Sequence, residues 1–211
     1  MTDTKDTFGL AASAFVDAVA GISDDDWDKP GLGEWDVRSL VGHTTRALLT
    51  VETYLAAGIG SPELTDPVDY YLALLGDPVD PSDTDRRVAL NAAVAERGRQ
   101  AGAELGSDPV GHVAEITRRV VTLVRNTEPD APLATSAGTM TLEAYLPTRM
   151  FELAVHTLDL HRAIHTDPAP RLDPAIALTW ELLGRIASRR HRQGDLILSI
   201  AGRNVPLQPI L

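Results

Sequence analysis

The sequence predicts an all-α protein: a bundle of long amphipathic helices with short added helices and a short extended segment at its end. Three observations carry that expectation. Asp-Pro steps recur at Asp66-Pro67, Asp77-Pro78, Asp80-Pro81, Asp108-Pro109, Asp167-Pro168 and Asp173-Pro174. Asp as N-cap followed by Pro as first helical residue is a helix start, because Pro has no amide hydrogen to leave unsatisfied. Apolar residues return at helical spacing along most of the chain, and strand-like alternation shows only near its end.

Read in order, the helices fall at about 6–20, 37–57, 83–105, 110–126, 142–165 and 174–191, with a shorter one at 67–75. The helix at 37–57 has an apolar face of Leu40, Val41, Thr44, Leu48, Val51 and Leu55, and Trp35 is placed to anchor the turn before it. The 67–75 helix opens on Asp66-Pro67 and the 110–126 helix on Asp108-Pro109. Val113, Ile116, Val120, Leu123 and Val124 then form one core-facing stripe. In 142–165 the apolar face is Leu142, Leu146, Leu153, Leu160 and Ile164, and Asp173-Pro174 starts the last helix. Beyond it Leu196, Leu198 and Ile200 alternate with Ile197, Ser199 and Ala201 before a Gly202-Arg203-Asn204 turn signal. Residues 195–211 therefore read as a strand pair or an extended tail.

At 211 residues the chain suits a single domain, 1–211, with a core that a length of this order can bury. Within it, 1–166 reads as the bundle core and 167–211 as a C-terminal helix plus short extended tail. Hydrophobic residues make up 44% but aromatic ones only 5%, so the core is expected to be built of Leu, Val, Ala and Ile. The net charge of −11 repels phosphate backbones and anionic lipid, which argues against nucleic acid and membrane surfaces as partners. The opening MTDTKDTFGLAASAF lacks the basic flank and apolar run of a signal peptide, and no run approaches the ~18 apolar residues of a membrane span. A cytoplasmic protein is expected, with a homodimer left open. There is no cysteine, so any metal must be held by nitrogen and oxygen, and any thiol must come from a small molecule.

One stripe carries chemistry. Positions four apart on a helix lie on one face, which puts Arg149, Glu152, His156 and Asp159 in a narrow line beside the apolar face. A carboxylate and an imidazole at that spacing are able to grip one divalent ion, with Arg149 and Asp159 behind them, and His43 on the 37–57 helix is the candidate third ligand. The same pattern also describes a solvated salt-bridge face, and a lone histidine such as His43 beside an apolar face also serves as a boundary residue. His161 and His165 are likewise four apart, but they lie at the helix end and point to a different face; His112 and His191 read as exposed.

The segment GEWDVRSLVGHTTR resembles the G-W-x-V-R-D-x-x-x-H opening of the mycothiol-dependent maleylpyruvate isomerase metal-binding domain, a branch of the DinB-like superfamily. YLPTRMFELAVHTLDLHRA resembles that family's R-x-x-E-x-x-x-H-x-x-D-L signature, and LILSIAGRNVP its closing L-T-G-R-x-x-x-P stretch. The resemblance implies a DinB-like four-helix bundle with one long crossover, and a divalent metal, usually zinc, on His43, Glu152 and His156. It also implies a small-molecule thiol, mycothiol, as cosubstrate. In the resembling isomerase the thiol adds to a double bond, rotation follows, and elimination releases the product.

Two imidazoles and one carboxylate leave a position open on a tetrahedral ion, as in catalytic sites. The expected function is a metal- and thiol-dependent enzyme of the isomerase or S-transferase type, acting on a small anionic or electrophilic substrate. The alternative is a noncatalytic metal-binding bundle with a stress or detoxification role. Asp159 is placed either to hold the second nitrogen of His156 or to pair with Arg162, and Arg149 either to orient Glu152 or to meet an anionic substrate. Tyr54, on the flank of His43, is a candidate pocket residue, and Arg203, in the matching G-R step, a candidate substrate contact. Only about 20 residues follow the last helix, where the characterised isomerase carries a larger C-terminal region.

Overall fold

A computed structural model describes residues 3–58, 60–75 and 83–204, and the side chains of 75 and 83–91 are outside that description. The elements run α1 (Thr4–Ala20), β1 (Pro30–Leu32), β2 (Trp35–Asp36), α2 (Val37–Ala57), α3 (Pro67–Leu75), α4 (Asp83–Glu104) and α5 (Pro109–Asn126). There follow β3 (Pro132–Thr135), β4 (Gly138–Thr141), α6 (Leu142–Ala163), α7 (Asp173–Arg189) and α8 (Gln193–Ile200). Of the Asp-Pro signals, Asp66 and Asp108 cap the helices they precede, Asp173 is itself the first residue of α7 with no side-chain cap before it, no α-helix starts at Asp167, and Asp77 and Asp80 lie outside the described residues; α2 is capped by Asp36, which no such step marks. Asp36 accepts from Ser39 N at 2.7 Å and Asp108 from Gly111 N at 2.9 Å, each satisfying an amide that the first helical turn leaves unpaired.

Four helices close a ring. α1 packs against α5 and α6, and α2 packs against the same two, so α1 and α2 face each other diagonally. The route from α2 to α5 is the long crossover, and it carries α3 and α4 on the outside of the bundle. This is the all-α, DinB-like bundle that the sequence predicts. Its interior is mainly aliphatic with a few aromatic rings: Phe8, Phe15, Leu40, Leu48, Val113, Val120, Leu146, Leu153 and Leu160 are almost fully buried. Among the described residues no helix is long and apolar enough to cross a membrane.

α4 comes close enough to α2 that glycine is required at the crossing. A Cβ on Gly42 would lie 2.2 Å from Gly102 N, and one on Gly98 would lie 2.5 Å from Trp35 Cε2. The second approach fixes Trp35, whose Nε1 donates to the Ala95 carbonyl at 2.9 Å. Trp35 thus joins the turn before α2 to α4, a wider role than anchoring that turn alone.

The end of the chain differs from expectation. Gln193–Ile200 is a helix, α8, where alternation suggested a strand or extended tail. Alternation over so few residues is weak, and a strand needs a partner to take up its backbone groups. No strand lies beside 193–200 among the described residues, so the backbone closes its own helical hydrogen bonds instead. Residues 205–211 of the expected tail lie outside the described residues. Two hairpins, β1–β2 and β3–β4, were not expected; the second pairs Pro132 with Thr141 through Thr135 with Gly138 and leads directly into α6.

Candidate metal centre

α2 and α6 pack side by side, and that contact brings His43 against the polar stripe of α6. The ligand atoms of His43, Glu152 and His156 all lie within 4.8 Å of one another. His156 Nε2 is 3.5 Å from Glu152 Oε2, close to the ~3.3 Å that separates two donors on one tetrahedral zinc ion. The His43 and His156 rings meet edge to face, with centroids 4.9 Å apart, while Trp35 lies against the other side of His43 at 4.4 Å. His43 Nδ1 is buried without a hydrogen-bond partner. A buried acceptor left unsatisfied is costly, and a cation shared with Glu152 and His156 would remove that cost. The donor set, all nitrogen and oxygen, therefore fits a divalent ion such as zinc.

The electrostatics agree. Burial first, then the charge of His156, hold the His43 pKa down to about 4, so its imidazole is neutral and its lone pair available. Burial works against ionisation of Glu152, but the hydrogen bond to His156 and the charges of Arg149, His156 and His43 outweigh it and leave the carboxyl at about 2. For His156 burial disfavours the proton, but Asp159 and Glu152 overcome it and raise the group to about 9. In the metal-free chain a proton on His156 therefore sits between two carboxylates, where a cation would replace it.

Asp159 Oδ2 is 3.2 Å from His156 Nδ1, which leaves Nε2 turned toward Glu152 and His43. Arg149 is only 7% exposed. Its Nε donates to Thr148 Oγ1 at 3.1 Å and its Nη2 to Tyr70 Oη at 3.2 Å, and its Cζ lies 4.8 Å from the Tyr145 ring centre. It belongs to the protein interior, held by Thr148 and by the tyrosines beside it. Burial opposes its charge, but Tyr145, Tyr70 and Glu152 outweigh that effect and hold the guanidinium protonated.

A cavity of about 300 Å3 opens beside the cluster, and His43, Glu152, Arg149 and Tyr54 are in its wall. Tyr70 joins them, as do Arg46 from α2 and Arg97 from α4. Three arginines from three helices thus face one cavity whose only carboxylate among the described residues, Glu152, is engaged by His156 and Tyr71. In a chain of net charge −11, this concavity is positive.

The structure brings together His43, Glu152, His156, Asp159, Arg149 and Tyr54. It does not bring in Arg203, which lies exposed after α8 and donates to the Ala201 carbonyl at 3.1 Å. His161 and His165 stay apart from the cluster. His161 is buried with Nδ1 2.7 Å from Thr166 Oγ1, and His165 is exposed beyond the helix end with φ +56°. The sequence reading missed Arg46, Arg97, Tyr70 and Tyr71. A signal was present: the chain has four tyrosines, Tyr54, Tyr145, Tyr70 and Tyr71, and in that order their rings meet, tilted or edge to face, in one row beside this site.

The family model for the mycothiol maleylpyruvate isomerase N-terminal domain matches residues 8–161, a span that contains His43, Glu152 and His156. No curated protein and no solved structure matches the chain.

Proposed function

The chain belongs to the mycothiol maleylpyruvate isomerase N-terminal domain family, and from that membership we propose a metal-dependent enzyme, with zinc as its metal, that uses a small-molecule thiol such as mycothiol. The reaction class is that of a maleylpyruvate isomerase or an S-transferase. The observation that carries the reading is the convergence of His43, Glu152 and His156 within 4.8 Å, two helices supplying three donors and leaving room for a fourth.

A divalent ion bound there supplies Lewis acidity, favouring the thiolate of a thiol and polarising a substrate oxygen. The protein's own residues do the rest. Asp159 accepts from His156 Nδ1 and so fixes the tautomer that offers Nε2. His43, kept neutral by burial, offers a lone pair without having to lose a proton. Arg149, Arg46 and Arg97 hold an anionic group of the substrate in the cavity, with Tyr54 and Tyr70 closing its wall. The chain has no cysteine, so the thiol enters as a second small molecule and meets no competing protein thiolate.

Cobalt-substituted protein tests this directly. Titration with mycothiol should raise an intense near-ultraviolet thiolate charge-transfer band in the native chain and none in Glu152→Ala. Cobalt binding without that band at saturating thiol would replace the enzyme reading with that of a noncatalytic metal-binding bundle.

A further inference from the structure

α3 is the least expected part of the site. It lies on the crossover, outside the four-helix ring, against α6 and α7. Asp66 starts it, accepting from Val68 N at 2.8 Å and pairing with Arg185 of α7, while Asp69 meets Arg189 of the same helix at 3.2 Å. Clasped in this way, α3 drives Tyr70 and Tyr71 inward until each is 5% exposed.

The two adjacent tyrosines do different things. Tyr70 reaches the cavity and Arg149. Tyr71 reaches Glu152: its Oη is 3.3 Å from Oε1 and 3.2 Å from the Thr148 carbonyl, and its ring packs on Phe151 at 5.3 Å. Glu152 therefore has its two oxygens in different hands. Oε1 faces a phenol, and Oε2 faces His156 Nε2 at 3.5 Å. A phenol hydroxyl has one proton, and a carboxylate is the stronger acceptor beside a backbone carbonyl.

We propose that Tyr71 is a positioning residue for the metal centre: by engaging Glu152 Oε1 it makes Glu152 a one-oxygen ligand through Oε2 and keeps the remaining coordination position free. The inference rests on the metal reading above. Outer partners of this kind orient a ligand, and their loss typically weakens metal binding about 10- to 100-fold. Without the phenol, both oxygens of Glu152 are free to turn to the ion and take up the position that a thiol or substrate would need.

The test compares cobalt binding to native protein, Tyr71→Phe, Tyr145→Phe and His156→Ala, by competition with a chelator and by visible ligand-field spectra. Tyr145 is the matched control, a buried tyrosine whose hydroxyl meets Thr50 Oγ1 at 3.1 Å and no ligand. Tyr71→Phe should lose about 10- to 100-fold in affinity and show weaker visible bands, the mark of higher coordination. Tyr145→Phe should bind as native does. Tyr71→Phe with native affinity and native spectrum, while His156→Ala binds nothing, would overturn the role of Tyr71 and leave the metal site standing. Native protein that takes up no cobalt would overturn both. If Tyr71→Phe does not fold, a crystal structure of the cobalt-loaded native chain decides: Glu152 should bind through one oxygen with Oε1 still on Tyr71, and two-oxygen binding would refute the assignment.

Discussion

α6 offers two pairs of side chains four residues apart, Glu152 with His156 and His161 with His165, and they meet opposite fates. The first pair lies mid-helix, where α2 crosses and delivers His43 to within 4.8 Å of both. The second straddles the helix end. α6 stops at Ala163, His165 turns out into solvent with a left-handed backbone, and His161 turns inward to Thr166. Spacing supplies two donors on one face, and it does so equally for a site and for a helix end. A third donor from another helix and a partner that fixes each ring are what separate the two pairs.

The sharpest way to break this comparison is to remove a member of each pair. His156→Ala should lose one-equivalent zinc or cobalt binding entirely, as measured by elemental analysis, whereas the double replacement of His161 and His165 by Ala should retain it. Retained occupancy in His156→Ala would dissolve the distinction.

The pairs should also respond to pH in opposite directions in metal-free protein. His156 is raised to about 9 from 6.5, so its contribution to stability is complete below about 6.5 and is lost as pH climbs through 9, a change of about 3 kcal/mol. His161 is lowered, chiefly by burial, so its contribution is present above 6.5 and is lost as pH falls. Proton-detected titration of the two imidazole rings, with urea unfolding at pH 6 and pH 9.5, checks both signs. A His156 ring that titrates near 6.5 would remove the first.

Arginines sharpen the contrast at a smaller scale. Arg149 is buried, with two hydrogen bonds and two ring faces, while Arg162 is exposed on the far half of the same helix. Arg149→Ala should cost about 2–3 kcal/mol in urea unfolding, and Arg162→Ala less than about 0.5 kcal/mol. A smaller effect than that of Arg149→Ala is expected of Asp159→Asn, which keeps the fold but weakens metal binding about tenfold by loosening His156. An unchanged affinity would mean that the ring is held by packing alone.

Much of the bundle was legible because helix signals are local. Asp66 and Asp108 cap the helices they precede, and the apolar stripes of α2, α5 and α6 are the faces that are buried. α8 was misread because three alternating residues do not distinguish a strand from a helix until a partner strand is present or absent. Within the site, Glu152 and His156 showed by their spacing, and His43, a candidate third ligand on another helix, was tied to them by the resemblance of two motifs. Tyr70 and Tyr71 carried no pattern of their own. They sit on a crossover helix whose place depends on ion pairs with α7, more than a hundred residues away in the chain.

The sequence by itself determined what is set by neighbours along the chain: where helices start, which faces are apolar, that a carboxylate and an imidazole share a side of α6, and that any metal must be held without sulfur. The tertiary structure decided which of those donors meet. Ring closure by α1, α2, α5 and α6 puts His43 over Glu152 and His156 with Arg46, Tyr54 and Arg149 beside them, and the crossover adds Tyr70, Tyr71 and Arg97. Burial then holds His43 neutral, while the hydrogen bond to His156 and the charge of Arg149 keep Glu152 ionised against its burial. These outcomes depend on distances across the fold, and pair interactions that fall off with distance in a low-dielectric interior have no counterpart in residue spacing.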